Sequence, residues 1–136
     1  MTVVRVASNS SRYGQEVTIR QFRLKADEPP TVGGDDSGPS PFEWILAGLG
    51  ACTSMTLQMY AERKGWPLEQ VIVELDYVRQ NDQPVIHVDL AMMGDLDEKQ
   101  RQRLLEMSDR CPVHKLLTVP VQIQTQLSNQ LAKASF

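Results

Sequence analysis

The feature that most limits how this chain can fold is Ser40-Pro41-Phe42-Glu43 leading straight into an apolar run, Trp44 to Cys52. Ser40 can cap a helix, Pro41 suits its first position, and Glu43 can close a capping box by reaching back to the cap amide. The spacing predicts a helix that continues through Met55, Leu57, Met59 and Tyr60 and stops at Lys64-Gly65, a basic last turn followed by a residue that tolerates a left-handed C-cap. Between Trp44 and Cys52 this helix has no polar face, so that half is expected to be buried on all sides. Gly48 and Gly50 each cost about 1 kcal/mol against alanine in a helix, which implies that another backbone or a ligand approaches closely there.

Around that helix the chain alternates. Val4 and Val6, then Val17 and Ile19, alternate with polar residues before Phe22 and Leu24 shift the apolar face, and Ser8 to Ser11 with Gly14 supply a turn; an N-terminal hairpin is expected. Asp27 to Pro39 holds three prolines and three glycines and reads as a loop. Val71, Val73, Leu75 and Tyr77 pair in pattern with Ile86, Val88, Leu90 and Met92 across Asn81-Asp82-Gln83-Pro84, a second hairpin. Asp97 with Gln100 can cap a second helix that ends near Arg110. Val119, Val121, Ile123, Thr125 and Leu127 alternate with glutamines as a last strand, and the tail from Ser128 is expected to fray. The order of elements predicts an α+β fold with mainly antiparallel pairing. At 136 residues, 41% of them apolar, the chain is read as one domain over residues 1–136.

Charge and composition exclude several function classes. Fourteen basic and 17 acidic residues give a net charge of −3, with both signs spread along the chain, the opposite of a nucleic-acid binder's basic excess. No run approaches the roughly 18 apolar residues of a membrane span, and the first residues do not read as a signal peptide, so a cytoplasmic protein is expected. A structural zinc site would have to use Cys52, His87, Cys111 and His114 together, of which only Cys111 and His114 are close in sequence. Gly33-Gly34 and Gly38 lack the pattern of a dinucleotide or phosphate loop. Neither a metal nor a bound cofactor is expected. Trp66 after Gly65 reads as a packing residue, and His87 as a solvated position on the polar face of a strand.

Two cysteines in a reducing compartment are either inert core residues or a redox pair. Cys52 lies twelve positions past the helix cap, too far for the helix start to favour its thiolate, among Ile45, Leu49, Met55, Thr56 and Met59. Cys111 is followed by Pro112, which can open a short helical turn and leave the sulfur at its cap, with Arg110, His114 and Lys115 adding positive potential. Local pattern alone does not show that the two meet.

The runs Gly33 to Leu57, Arg63-Lys64-Gly65-Trp66-Pro67-Leu68-Glu69 and Cys111-Pro112-Val113-His114-Lys115-Leu116-Leu117 together resemble the OsmC/Ohr family of thiol-dependent peroxidases. The resemblance implies an intertwined homodimer with antiparallel sheets wrapped around two central helices. It also implies a hydroperoxide substrate and an external dithiol reductant, with Cys52 as the peroxidatic and Cys111 as the resolving cysteine. Members of the organic-hydroperoxide type add an arginine from the N-terminal turn, which Arg12 matches, and a glutamate after the helix-opening proline. Here Phe42 stands where that acid belongs. Glu43 comes nine residues before Cys52, on the opposite side of a helix, and is assigned to capping, which places the chain in the broader branch of the family. The rival expectation is a non-enzymatic dimeric module that holds a small hydrophobic ligand and whose cysteines are buried and inert.

Overall fold

The computed structural model describes residues 3–129 and residue 131. The N-terminal alternation forms three antiparallel strands, β1 (Val4–Ser8), β2 (Gln15–Ile19) and β3 (Phe22–Ala26), in the order β1-β2-β3. The sequence predicted one hairpin here. The shift of the apolar face between Ile19 and Phe22 is in fact a tight turn, with Arg20 at φ 53° in the left-handed region, and the residues after it return as a third strand that pairs Val17 with Leu24.

Helix α1 (Pro41–Lys64) begins and ends as its residues dictate. The Ser40 hydroxyl accepts from the Glu43 amide at 3.3 Å, and the Glu43 carboxylate accepts from the Ser40 amide at 2.9 Å, which holds that carboxyl below its ordinary range. Gly65 closes the helix at φ 69°. A long hairpin follows, β4 (Leu68–Gln80) and β5 (Gln83–Gly94), turned by Asn81 and Asp82, both at positive φ. Helix α2 (Glu98–Met107) starts on a second reciprocal capping box, between Asp97 and Gln100. A 3-10 turn (Ser108–Arg110) then leads into the short helix α3 (Pro112–Leu117).

The core sits where α1 and α2 lie on the hairpin. Leu57, Tyr60 and Ala61 of α1 meet Leu96, Leu104 and Met107, with Trp66, Leu68, Val71, Leu90 and Met92 packed around them. Trp66 stands edge-on to Tyr60 at 5.5 Å, the packing role expected of it. Arg101 ties α2 to β5 by donating to the Met92 and Gly94 carbonyl oxygens at 2.6 and 3.0 Å. The close approach expected at the helix glycines occurs at Gly50, where a Cβ would stand 2.8 Å from a Leu75 methyl. Gly48 faces open space.

Two expectations are corrected. The stretch Trp44 to Cys52 is not buried on all sides within one chain: Leu49 and Gly50 are buried, while Ile45, Ala47, Gly48 and Ala51 are exposed. Inside the chain α1 packs on β4, α2, α3 and the turn between the last two, and these cover one side of the helix only. The last strand, Val119 to Leu127, does not form. Its residues have no regular structure, with Ile123 85% and Leu127 98% exposed, because alternation selects a strand only where another edge supplies hydrogen bonds. Most of the tail expected to fray lies outside the described residues.

Candidate functional site

Helix α1 carries Cys52 on the side that faces α3, and the break between α2 and α3 brings Cys111 against it. Cys111 is the N-cap of α3, the role Pro112 predicts. Its sulfur accepts from the His114 amide at 3.4 Å and is fully buried, whereas Cys52 is half-buried. The two free thiols, 59 positions apart in sequence, lie close enough that each shifts the other's titration. This contact is the juxtaposition that local sequence pattern left open.

The surroundings treat the two sulfurs differently. Burial pushes the Cys52 thiol up, and its hydrogen bond and charge interaction with Cys111 push it further. The Val113 amide and the Thr56 hydroxyl oppose this without reversing it. Burial also acts to raise Cys111, but hydrogen bonds from the Cys52 thiol, the His114 and Val113 amides and the Thr53 hydroxyl overcome it, and Cys111 falls below the ordinary thiol value. The first negative charge on the pair therefore settles on Cys111, with Cys52 donating to it. Thr53 is itself buried. Sequence reading named Thr56 but passed over Thr53; Thr53, Ser54 and Thr56 all follow the cysteine within one turn, and nothing local singles out the first.

Arg12 lies in the loop between β1 and β2. Its guanidinium sits 5.0 Å over the Tyr13 ring, and its Nη1 would stand 2.8 Å from a Cβ at Gly33. The groups that act on the Cys52 thiol are Cys111, Val113 and Thr56, besides burial itself. Phe42, in the place of the family acid, stacks on Tyr77 of β4. His87 is exposed on its strand, 3.2 Å from Asp76. Among the described residues no group of three or more His, Cys, Asp or Glu side chains could hold a metal ion, and no helix is long and apolar enough to cross a membrane.

Beside the thiol pair two recesses open between α1, β5 and α3. The smaller, about 250 Å³, is floored by Leu49 and Thr53 and reaches Asp109. The larger, about 310 Å³, extends to Tyr77 and Leu117. His114, Leu49, Ile86 and Val88 line both. Neither cysteine lines them, but two neighbours of the Cys111 sulfur do, His114 in both and Thr53 in the smaller, and a small molecule with an apolar tail fits such walls.

The family model described as OsmC-like protein matches residues 34–126, more than half of the chain. No curated protein matches significantly. Among solved structures, an OsmC-like protein from Mycoplasma pneumoniae superposes with a TM-score of 0.72 at 20% identity, covering 86% of this chain and 86% of that one. An organic hydroperoxide resistance protein from Legionella pneumophila gives 0.65 at 17%, covering 87% and 89%. The organic hydroperoxide resistance protein OhrB of Bacillus subtilis gives 0.61 at 18%, covering 87% and 90%. At these identities the likeness establishes a shared fold.

Proposed function

Because the chain belongs to the OsmC family, with the redox and peroxide-stress setting that membership suggests, we propose that it reduces organic hydroperoxides through its two thiols. The observation that carries this reading is the juxtaposition of Cys52 and Cys111 where α3 packs on α1. Of the two sulfurs, Cys52 is the one with open surface, so it makes the attack. It first passes its proton along the hydrogen bond to Cys111. The Cys52 thiolate then attacks the distal peroxide oxygen, the O–O bond breaks, and the products are a Cys52 sulfenic acid and an alkoxide that takes up a proton. Cys111 condenses with the sulfenic acid, releasing water and forming a disulfide, which an external dithiol reduces by exchange. Arg12 is the cation proposed to hold the charge on Cys52 during the attack, a role that requires its guanidinium to leave its place over Tyr13. A reducing cytoplasm, where dithiols keep the pair cycling, suits this chemistry.

The proposed working unit is a homodimer. On the uncovered side of α1, Ile45, Met55 and Met59 are 45%, 54% and 61% exposed, and Val119 to Leu127 is a strand pattern with no sheet to join. A groove of about 470 Å³ between the β1–β3 sheet and the start of α1, lined by Val4, Val6, Val17, Trp44 and Ile45, offers that segment of a second copy an apolar seat. Exposed apolar surface on this scale marks an association face.

The test is direct. Reduced protein given tert-butyl hydroperoxide should lose both free thiols and a mass of two hydrogen atoms, and should turn over when a dithiol is present. Unchanged thiols after excess peroxide would overturn the reading and favour the non-enzymatic binding module, which the raised Cys52 thiol supports.

A further inference from the structure

Reduction of a hydroperoxide leaves an alkoxide, a strong base, and the barrier falls when an acid hands it a proton as the O–O bond breaks. The place of that oxygen follows from the geometry. The alkyl group is bonded to the leaving oxygen, and the apolar recesses that could take an alkyl group share Leu49, Ile86, Val88 and His114 as walls. Neither sulfur lines the recesses, so with an alkyl group in either one the leaving oxygen lies between its walls and Cys52. His114 belongs to both places: its amide donates to the Cys111 sulfur at 3.4 Å, and its residue lines both recesses. Imidazole is also the side chain that exchanges a proton near neutrality.

We propose that His114 is the general acid of the peroxidase reaction, donating its ring proton to the oxygen that departs with the alkyl group. The balance is complete: the Cys52 sulfur gains the distal oxygen, the alkoxide takes the proton from imidazolium, and the neutral imidazole is recharged from solvent. The other titratable groups around His114 are Asp109, which lines the smaller recess, Tyr77, which lines the larger, and Cys111 and Lys115 on its own turn. This inference rests on the peroxidase reading.

The experiment compares two oxidants that differ in the proton their leaving group needs. An alkyl hydroperoxide expels a strongly basic alkoxide, whereas peracetic acid expels acetate, which needs no proton. His114→Gln should slow tert-butyl hydroperoxide at least tenfold in second-order rate at pH 7 and leave peracetic acid within twofold of the parent. His114→Asn, which differs in reach, should show the same contrast. An equal loss on both oxidants would assign His114 a packing role only, and no loss on either would remove it from the reaction. If the parent protein oxidises its thiols with neither oxidant, the peroxidase reading falls and His114 has no such role. Parent activity with an undiminished variant overturns the general acid alone.

Discussion

Phe42 and Tyr77 lie ring on ring, centroids 5.1 Å apart and planes 14° apart, which ties the first turn of α1 to the C-terminal part of β4. Tyr77 in turn lines the larger recess beside the thiol pair, so Phe42 braces one wall of that recess from behind. Each buried methylene contributes about 0.8 kcal/mol, so a few carbons of substrate tail should favour cumene or tert-butyl hydroperoxide over hydrogen peroxide by about tenfold or more. Phe42→Ala should lower that preference several-fold and cost about 1 kcal/mol of stability from the lost stack. The measurement is the ratio of second-order rates at equal dithiol; a ratio near one in the parent would show the recess to be packing alone.

The division of labour between the sulfurs is checked by substitution. Cys52→Ser should abolish peroxide consumption. Cys111→Ser should react once and stop as a sulfenic acid on Cys52 that a dimedone-type probe labels. Because Cys111 also accepts the proton of Cys52, its replacement should slow that first turnover as well. Label on Cys111 in the Cys52→Ser protein would reverse the assignment.

Association should be visible in solution. The intact chain is expected to sediment as a dimer at micromolar concentration, with more than about 2,000 Å² buried between copies. Removal of residues 119–136 should shift it towards monomer. A folded monomer of the intact chain at that concentration would exclude the arrangement.

Asp27 supplies a stability test with a defined sign. Its buried carboxylate accepts from the Glu28 amide at 2.7 Å and from the Ser37 amide and hydroxyl at 3.1 and 2.6 Å, and these bonds, the Ser37 hydroxyl first, hold it below its ordinary value. A depressed carboxyl contributes stability that is present above the unfolded value, about 3.9, and is lost as pH falls through the lower folded value. Asp27→Ala should therefore lower the urea midpoint at pH 7, and the difference from the parent should shrink below about pH 3. A gap that stays constant down to pH 2 would assign the effect to packing.

What the sequence disclosed and what it withheld follow from where the causes lie. Both capping boxes, the Gly65 stop, the Asn81-Asp82 turn and the Cys111 cap are made by residues within four positions of one another, and all were legible. The turn at Arg20-Gln21 carried no glycine or proline and was visible only as a change of apolar face. The alternation of Val119 to Leu127 predicted a strand that does not form, because a pattern does not contain the edge that would pair with it. The meeting of Cys52 and Cys111 depends on how α3 packs on α1, and only the family resemblance pointed to it. Thr53 and the Asp27 clasp, both polar groups made useful by burial, gave little local signal.

The Asp27–Ser37 clasp joins the ends of the loop between β3 and α1, where the Asp27 amide also donates to the Pro39 carbonyl at 3.1 Å and a side chain at Gly34 would strike the Glu28 carbonyl. Across that loop hangs the whole β1–β3 sheet, which meets α1 along an open groove. Arg12, on the turn between two strands of that sheet, stands against Gly33 of the same loop, so a carboxylate remote in sequence from both cysteines fixes the surface on which that guanidinium rests.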